Sequence, residues 1–283
     1  MAKKQLYTIF VYPFKVLGDS IGYTSYFLAI VFFLCFGVPL LLLLALWPGL
    51  MRRCMYRTLK AYTFFLTRFW LPLLQVYSIT EISGYDKRSM SNVIFVANHR
   101  GRLDALLLLS MLPESGVLIK PKYTRIPIYS AFVKYLDFVR ADSGSPASLA
   151  ASLARCKAIL DKGKNLLVFP EGTRAKSGKL QAFKEFCFKV AQDSKRPVVP
   201  IIIHSDYPFM ARTPQSIFPR HRLRYTIRFL SPCTIGEHER PAEFAERIHA
   251  AMAETLANLD KGTYWAARRP ARRSEGEKVA RPQ

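Results

Sequence analysis

Val93-Ile94-Phe95-Val96-Ala97-Asn98-His99-Arg100-Gly101-Arg102-Leu103-Asp104 is the stretch whose reading decides the architecture. Its apolar first half reads as a buried strand, and Ala105–Leu112 continues the second half as a helix. The same grammar returns further on, where Asn165-Leu166-Leu167-Val168 leads into Phe169-Pro170-Glu171-Gly172-Thr173-Arg174. Polar residues at the ends of neighbouring strands in an open α/β sheet converge on one crevice, the usual place for chemistry in such folds.

Strand-like runs also fall at Val76–Ser83, Val117–Lys120, Val198–Ile203 and Leu223–Leu230. Helical patterns lie at Pro146–Leu160, Leu180–Asp193 and Pro241–Leu259; in the last, Phe244, Ile248, Met252 and Leu256 share one face. Strands alternating with helices predict an α/β fold with a mixed, mainly parallel sheet flanked by helices. No internal repeat is visible, and from Ala266 onward the basic sequence lacks apolar periodicity, as a disordered tail does.

The N-terminal region has a different character. Ser20 to Met51 is 32 residues without a charge, and Phe27–Leu46 is apolar except for Gly37 and Pro39. About 20 such residues at 1.5 Å rise cross the roughly 30 Å hydrocarbon layer. Pro39 suits either a kinked span or a helix that dips into one leaflet and returns. Ala61–Tyr77 is aromatic-rich and carries Arg68, a composition that suits an interfacial helix with rings at headgroup depth. Arg52, Arg53, Arg57, Lys60 and Arg68 after the apolar run outnumber Lys3, Lys4 and Lys15 before it. That bias predicts an inner or plasma membrane protein whose main domain faces the cytoplasm. The expected organisation is a membrane anchor over 1–75, a catalytic domain over 76–262 and a basic tail over 263–283.

Lysine and arginine outnumber acidic residues 42 to 20, a formal charge of +22. Such an excess calls for an anionic partner. With an apolar segment alongside and no zinc-finger, helix-turn-helix or RNA-binding pattern, anionic membrane lipids and phosphate-bearing substrates are expected, and no nucleic acid. The five cysteines (Cys35, Cys54, Cys156, Cys187, Cys233) are scattered and odd in number, which fits a reducing compartment rather than a disulfide frame or metal site. The histidines show no metal-ligand spacing, so no metal is expected.

His99 and Asp104, five positions apart between a strand and a helix, can meet through imidazole Nδ1 and carboxylate, leaving Nε2 free to take a proton. This is the base half of a hydrolase triad. No G-x-S-x-G elbow supplies a nucleophile, so the substrate's own hydroxyl would attack a thioester directly. By itself N-H-x₄-D fits a structural hydrogen-bonder as well as a base. In the second block Gly172 permits a tight turn, Thr173 offers a hydroxyl, and Arg174 presents a planar fork suited to phosphate. Alone, that block fits a plain turn with Glu171 and Arg174 paired.

Together these blocks resemble the glycerolipid acyltransferase family that includes the 1-acyl-sn-glycerol-3-phosphate acyltransferases. Asn98-His99…Asp104 matches its N-H-x₄-D block and Phe169–Arg174 its F-P-E-G-T-R block. Lys120–Arg140, with Ile126-Pro127 and Phe138-Val139-Arg140, is similar to its intervening acceptor-binding stretch, and Val199-Pro200-Ile201-Ile202 to its V-P-I block. The resemblance runs from about Val76 to Leu230 and implies the glycerol-3-phosphate acyltransferase-like fold. It implies His99 as general base, Asp104 as its partner, and Glu171, Gly172 and Arg174, helped by Arg140, around the acceptor phosphate. Acyl-CoA or acyl carrier protein would be the acyl-donor substrate, with no resident cofactor. Gly101, Ser130 and Phe186 depart from the usual pattern, and Phe186 could narrow the acyl or headgroup pocket.

The expected activity is membrane-bound transfer of a fatty acyl group to a lysophospholipid acceptor, lysophosphatidate giving phosphatidate. The alternatives are the same chemistry on another lysolipid, such as lyso-ornithine lipid, or a non-catalytic basic protein binding a membrane surface or nucleic acid. Arg212 to Arg228 suit an acidic carrier or coenzyme A phosphates, or simply a solvated face.

Overall fold

The computed structural model describes residues 12–37, 39, 47–73, 76–86, 89–141, 144–175, 179–207 and 222–263. Among the described residues seven strands form the sheet: β1 (Tyr77–Ile82), β2 (Ile94–Ala97), β3 (Ser115–Ile119), β4 (Val139–Arg140), β5 (Asn165–Val168), β6 (Val198–Ser205) and β7 (Leu223–Phe229). Their order is β1-β7-β6-β2-β5-β3-β4. Among these strands the β6–β7 pair is antiparallel and the other pairings are parallel. The expected mixed, mainly parallel α/β sheet is what forms. Central strands β2, β5 and β6 are buried along their whole length, which explains their unbroken apolar runs.

Helices cover both faces. Seven helices matter here: α1 (Tyr12–Phe32), running on through a π-helical turn to Gly37; α2 (Pro48–Phe64), continued through Phe65–Trp70 to Leu73; α3 (Asp104–Met111); α4 (Pro127–Tyr135); α5 (Pro146–Asp161); α6 (Phe186–Ser194); and α7 (Pro241–Asp260). Phe95, Ala97 and Leu167 point to the face covered by α2 and α3, through Met51, Met55, Leu66, Leu107 and Leu108. Ile94, Val96, Leu166 and Val168 point to the other, against Cys156 and Leu160 of α5, Phe188 of α6 and Phe244 and Met252 of α7. The alternation is the period-2 consequence of strand geometry.

The connection after β2 therefore leaves to one face through α3, and the connection after β5 leaves to the opposite face through α6. Adjacent parallel strands whose connections diverge open a crevice at their carboxyl ends. Both polar blocks lie there.

Several elements differ from expectation. The 180–193 helix starts only at Phe186, because the backbone N–H groups of Gln181 and Lys184 are held by Glu171 and by the Pro170 carbonyl. The short β4 and α4 carry too few residues for a periodic signal. β4 can reach β3 because Gly116 has no side chain; a Cβ there would stand 2.4 Å from the Asp137 carbonyl oxygen. Tyr77 is not an interfacial aromatic but a core residue, 1% exposed, whose hydroxyl donates to the Thr67 carbonyl at 2.8 Å.

The N-terminal helices are only partly separate from the domain. Met51, Met55, Leu66 and Leu71 belong to the same core as the strands, so packing runs straight across position 75. Arg52 pairs with Asp137 and Glu114, and Lys60 donates to the Leu109 and Leu112 carbonyls at the end of α3. Two cations expected at the bilayer are thus engaged within the chain. Val16–Gly37 is long and apolar enough to cross a membrane, with mean hydropathy 1.7. Within it, Asp19, Gly22, Tyr23 and Tyr26 form a stripe that lines a small pocket with Leu71, Val76 and Leu103. Beyond that stripe Phe27, Leu28, Val31, Phe32, Leu34 and Phe36 are exposed. Most of the expected second half of the apolar run, the basic tail past Thr263 and the arginines Arg212 and Arg220 lie outside the described residues.

Candidate active site

The first block is built around one carboxylate. Asp104 opens α3 and is 1% exposed. Its Oδ2 accepts from His99 Nδ1 at 2.8 Å, from the Arg100 N–H at 2.7 Å and from the Gly101 N–H at 2.8 Å. Three donors on one oxygen fix the carboxylate, and the Nδ1 contact leaves Nε2 on the far edge of a His99 side chain that is 21% exposed. The ring lies against Phe169 of the second block, centroids 4.5 Å apart.

Asn98 holds the loop to the sheet. Its amide donates to the Ile203 carbonyl at 2.9 Å and accepts from the Ile203 N–H at 2.7 Å. β6 runs past the end of β2, and the Asn98 side chain takes the place of a missing strand residue in the ladder.

The second block docks onto the first. Glu171 is buried; its Oε1 accepts from the His99 N–H at 2.7 Å, and its Oε2 accepts from the Gln181 N–H at 3.0 Å and Gln181 Nε2 at 3.2 Å. Ala175 N–H donates to the His99 carbonyl at 2.8 Å, so the turn grips both sides of the His99 backbone. Burial pushes the Glu171 carboxyl above its ordinary value and outweighs the opposing pull of the His99 and Gln181 hydrogen bonds. Gly172 adopts φ +64°, and the place of its absent side chain lies 3.1 Å from Lys184 Cε and 3.5 Å from Lys184 Nζ. The glycine keeps room for a lysine over the turn.

His99, Asp104, Glu171, Gly172, Thr173 and Arg174 thus come together, with Thr173 and Arg174 half-buried on the turn. Arg140 stands apart. It ends β4, two strands from β5 and therefore about 10 Å away at ordinary strand spacing, exposed and on the same sheet end. Arg100, despite its place in the first block, turns away: its guanidinium is buried and forks onto Asp260 at 2.9 and 2.8 Å. Gln181, Lys184, the stacking of Phe169 on His99 and the anchoring role of Asn98 escaped the sequence reading. Only their closeness to the two blocks could have flagged them, since each acts through a contact made by folding.

Phe186 packs with the layer of α5, α6 and α7, and Gly101 contributes only its N–H to Asp104. No group of histidine, cysteine or carboxylate side chains with metal-holding geometry occurs among the described residues.

The Acyltransferase family model matches residues 79–204, which include both blocks and β6. The chain is similar to the 1-acyl-sn-glycerol-3-phosphate acyltransferase of Cocos nucifera, 25% identical over 177 residues covering 61% of this chain and 56% of that protein. It is similar to the chloroplastic enzyme of the same name from Arabidopsis thaliana, 28% identical over 198 residues covering 69% of this chain and 51% of that protein. It spans about half the length of these curated relatives. The crystal structure of the 1-acyl-sn-glycerophosphate acyltransferase from Thermotoga maritima superposes with a TM-score of 0.65, covering 87% of this chain and 98% of that one at 18% identity, a likeness of fold. Over the segment that holds both polar blocks, the chain is thus similar to the Acyltransferase family model and to relatives named as 1-acyl-sn-glycerol-3-phosphate acyltransferases.

Proposed function

We propose that this protein transfers a fatty acyl group from a thioester donor, acyl-CoA or acyl carrier protein, to the free hydroxyl of lysophosphatidate, giving phosphatidate. The observation that carries the reading is the His99–Asp104 contact at 2.8 Å, set beside a glycine turn that ends in Arg174. His99 Nε2 takes the proton of the acceptor hydroxyl while the alcohol oxygen attacks the thioester carbonyl. Asp104 holds the imidazole in the right tautomer and stabilises the imidazolium. Collapse of the tetrahedral adduct breaks the carbon–sulfur bond, and the imidazolium proton passes to the departing thiolate. The activated thioester drives the transfer, so the reading calls for no resident cofactor.

In this reading Gly172, Thr173 and Arg174 meet the acceptor phosphate, with Arg140 reaching in from the edge of the sheet. Glu171 serves the same turn from behind, since its oxygens face N–H donors of the chain itself. The exposed apolar half of α1 would lie in the bilayer, with exposed Arg53, Arg57 and Arg68 at anionic headgroups on the cytoplasmic side. Resting there, the protein reaches a lysolipid without extracting it.

The test uses full-length protein in phosphatidylglycerol-containing vesicles with lysophosphatidate and labelled acyl-CoA or acyl carrier protein. His99→Ala should lower turnover about 10²–10⁴-fold, the range of positioned base catalysis. Undiminished turnover in that variant refutes the mechanism. Arg174→Ala should raise the KM for lysophosphatidate far more than that for a lysolipid lacking phosphate.

A further inference from the structure

The geometry points to Asp260, at the C-terminal end of α7, as a positioning residue for the catalytic loop: it clamps the Arg100 side chain, and Arg100 in turn presents the N–H that holds Asp104 against His99. The inference rests on His99 and Asp104 being the reacting base and its partner.

Arg100 is held at both ends. Its N–H donates to Asp104 Oδ2 at 2.7 Å, the oxygen that also meets His99 Nδ1 at 2.8 Å. Its guanidinium donates to Asp260 Oδ1 at 2.9 Å and Oδ2 at 2.8 Å. A two-pronged fork fixes distance and rotation together, which a single hydrogen bond does not. The side chains are 5% and 9% exposed, so water does not compete for either prong.

Asp260 gathers a third element. His204 Nε2 of β6 lies 3.4 Å from Asp260 Oδ1, and the neighbouring Ile203 is the residue that carries Asn98. The loop from Asn98 to Asp104 is therefore pinned to β6 on one side and to α7 on the other. The Arg100 hydrogen bonds, with the His204 ring close by, outweigh the upward push of burial and keep the Asp260 carboxyl below its ordinary value. A buried ion pair adds little stability over an apolar pair of the same volume, so its contribution here is fixed geometry. Misplacing a reacting group by about 1 Å can cost on the order of 10²-fold in rate. α7 lies wholly beyond the segment that matches the family model, residues 79–204.

Three variants of the full chain test this in the vesicle assay, with melting temperature followed in parallel. Asp260→Asn keeps the shape but removes the charge. The paired Arg100→Met with Asp260→Leu removes the clamp without stranding a charge. Both should stay folded and lose at least about tenfold in kcat, with the lysophosphatidate KM within about threefold of the parent. Turnover within twofold of the parent in either, a loss confined to KM, or a paired variant that no longer folds overturns the inference. His99→Ala, run alongside, separates the outcomes: if it stays active the catalytic reading fails, whereas an inactive His99→Ala beside a fully active Asp260→Asn removes only the clamp.

Discussion

His99 and Asp104 meet because a strand end and a helix start leave four residues of turn between them, and the N–H groups of Arg100 and Gly101 close on the same carboxylate. The neighbouring Glu171 is set to respond to pH. Its raised carboxyl takes up a proton above the ordinary value of 4.5 as the solution is acidified. A group with a raised folded pKa contributes stability as pH falls through that value towards 4.5, so protonation of Glu171 does not unfold the chain. It does weaken the acceptor that holds the His99 N–H. Turnover should therefore fall on the acid side, above pH 4.5, while the melting temperature holds; simultaneous loss of both would contradict this. Glu171→Gln sets an amide N–H against Gln181 donors and should weaken folding by about 1–3 kcal/mol as well as turnover. Gly172→Ala is strained both by φ +64° and by Lys184, so a loss of about 1 kcal/mol or more in stability, measured by urea unfolding, is expected. Had this position tolerated alanine freely, the Lys184 contact would be dispensable.

At the scale of elements, the decisive feature is a side chain doing the work of backbone. Asn98 completes the β6 ladder at Ile203, and two buried peptide groups depend on it. Asn98→Ala would leave both without their partner, at about 1–3 kcal/mol per group. Chemical denaturation should show a loss in that range, with turnover falling too because the loop before His99 is freed. Runs such as Val93–Ala97 and Val198–Ile203 were legible in advance because a strand buried on both faces must be apolar throughout. The 180–185 segment was not. Its residues have helical spacing, yet Gln181 and Lys184 are drawn to Glu171 and Pro170, a contact no local pattern encodes.

The whole molecule joins an apolar helix to an α/β domain through a shared core. Deleting residues 1–46 removes the exposed apolar surface of α1 but leaves Met51, Met55, Leu66 and Leu71 in place. That truncation should remain folded and lose binding to anionic vesicles in a flotation assay. Deleting residues 1–75 strips four buried side chains from the sheet face, at about 2 kcal/mol or more each, enough to unfold a marginally stable domain. A cooperative melt from the shorter chain would show that α2 is not part of the core.

Local pattern alone determined the α/β class, the strands that end in polar blocks, the long apolar run of the N-terminus and the His99–Asp104 pair, because each is written in residues close together along the chain. Which way Arg100 faces, what Glu171 holds, why Gly172 must stay bare beside Lys184 and that Tyr77 belongs to the core were decided only on folding. These depend on partners such as Asp260, Gln181, Lys184 and Thr67, brought into contact by packing two helical layers against one sheet.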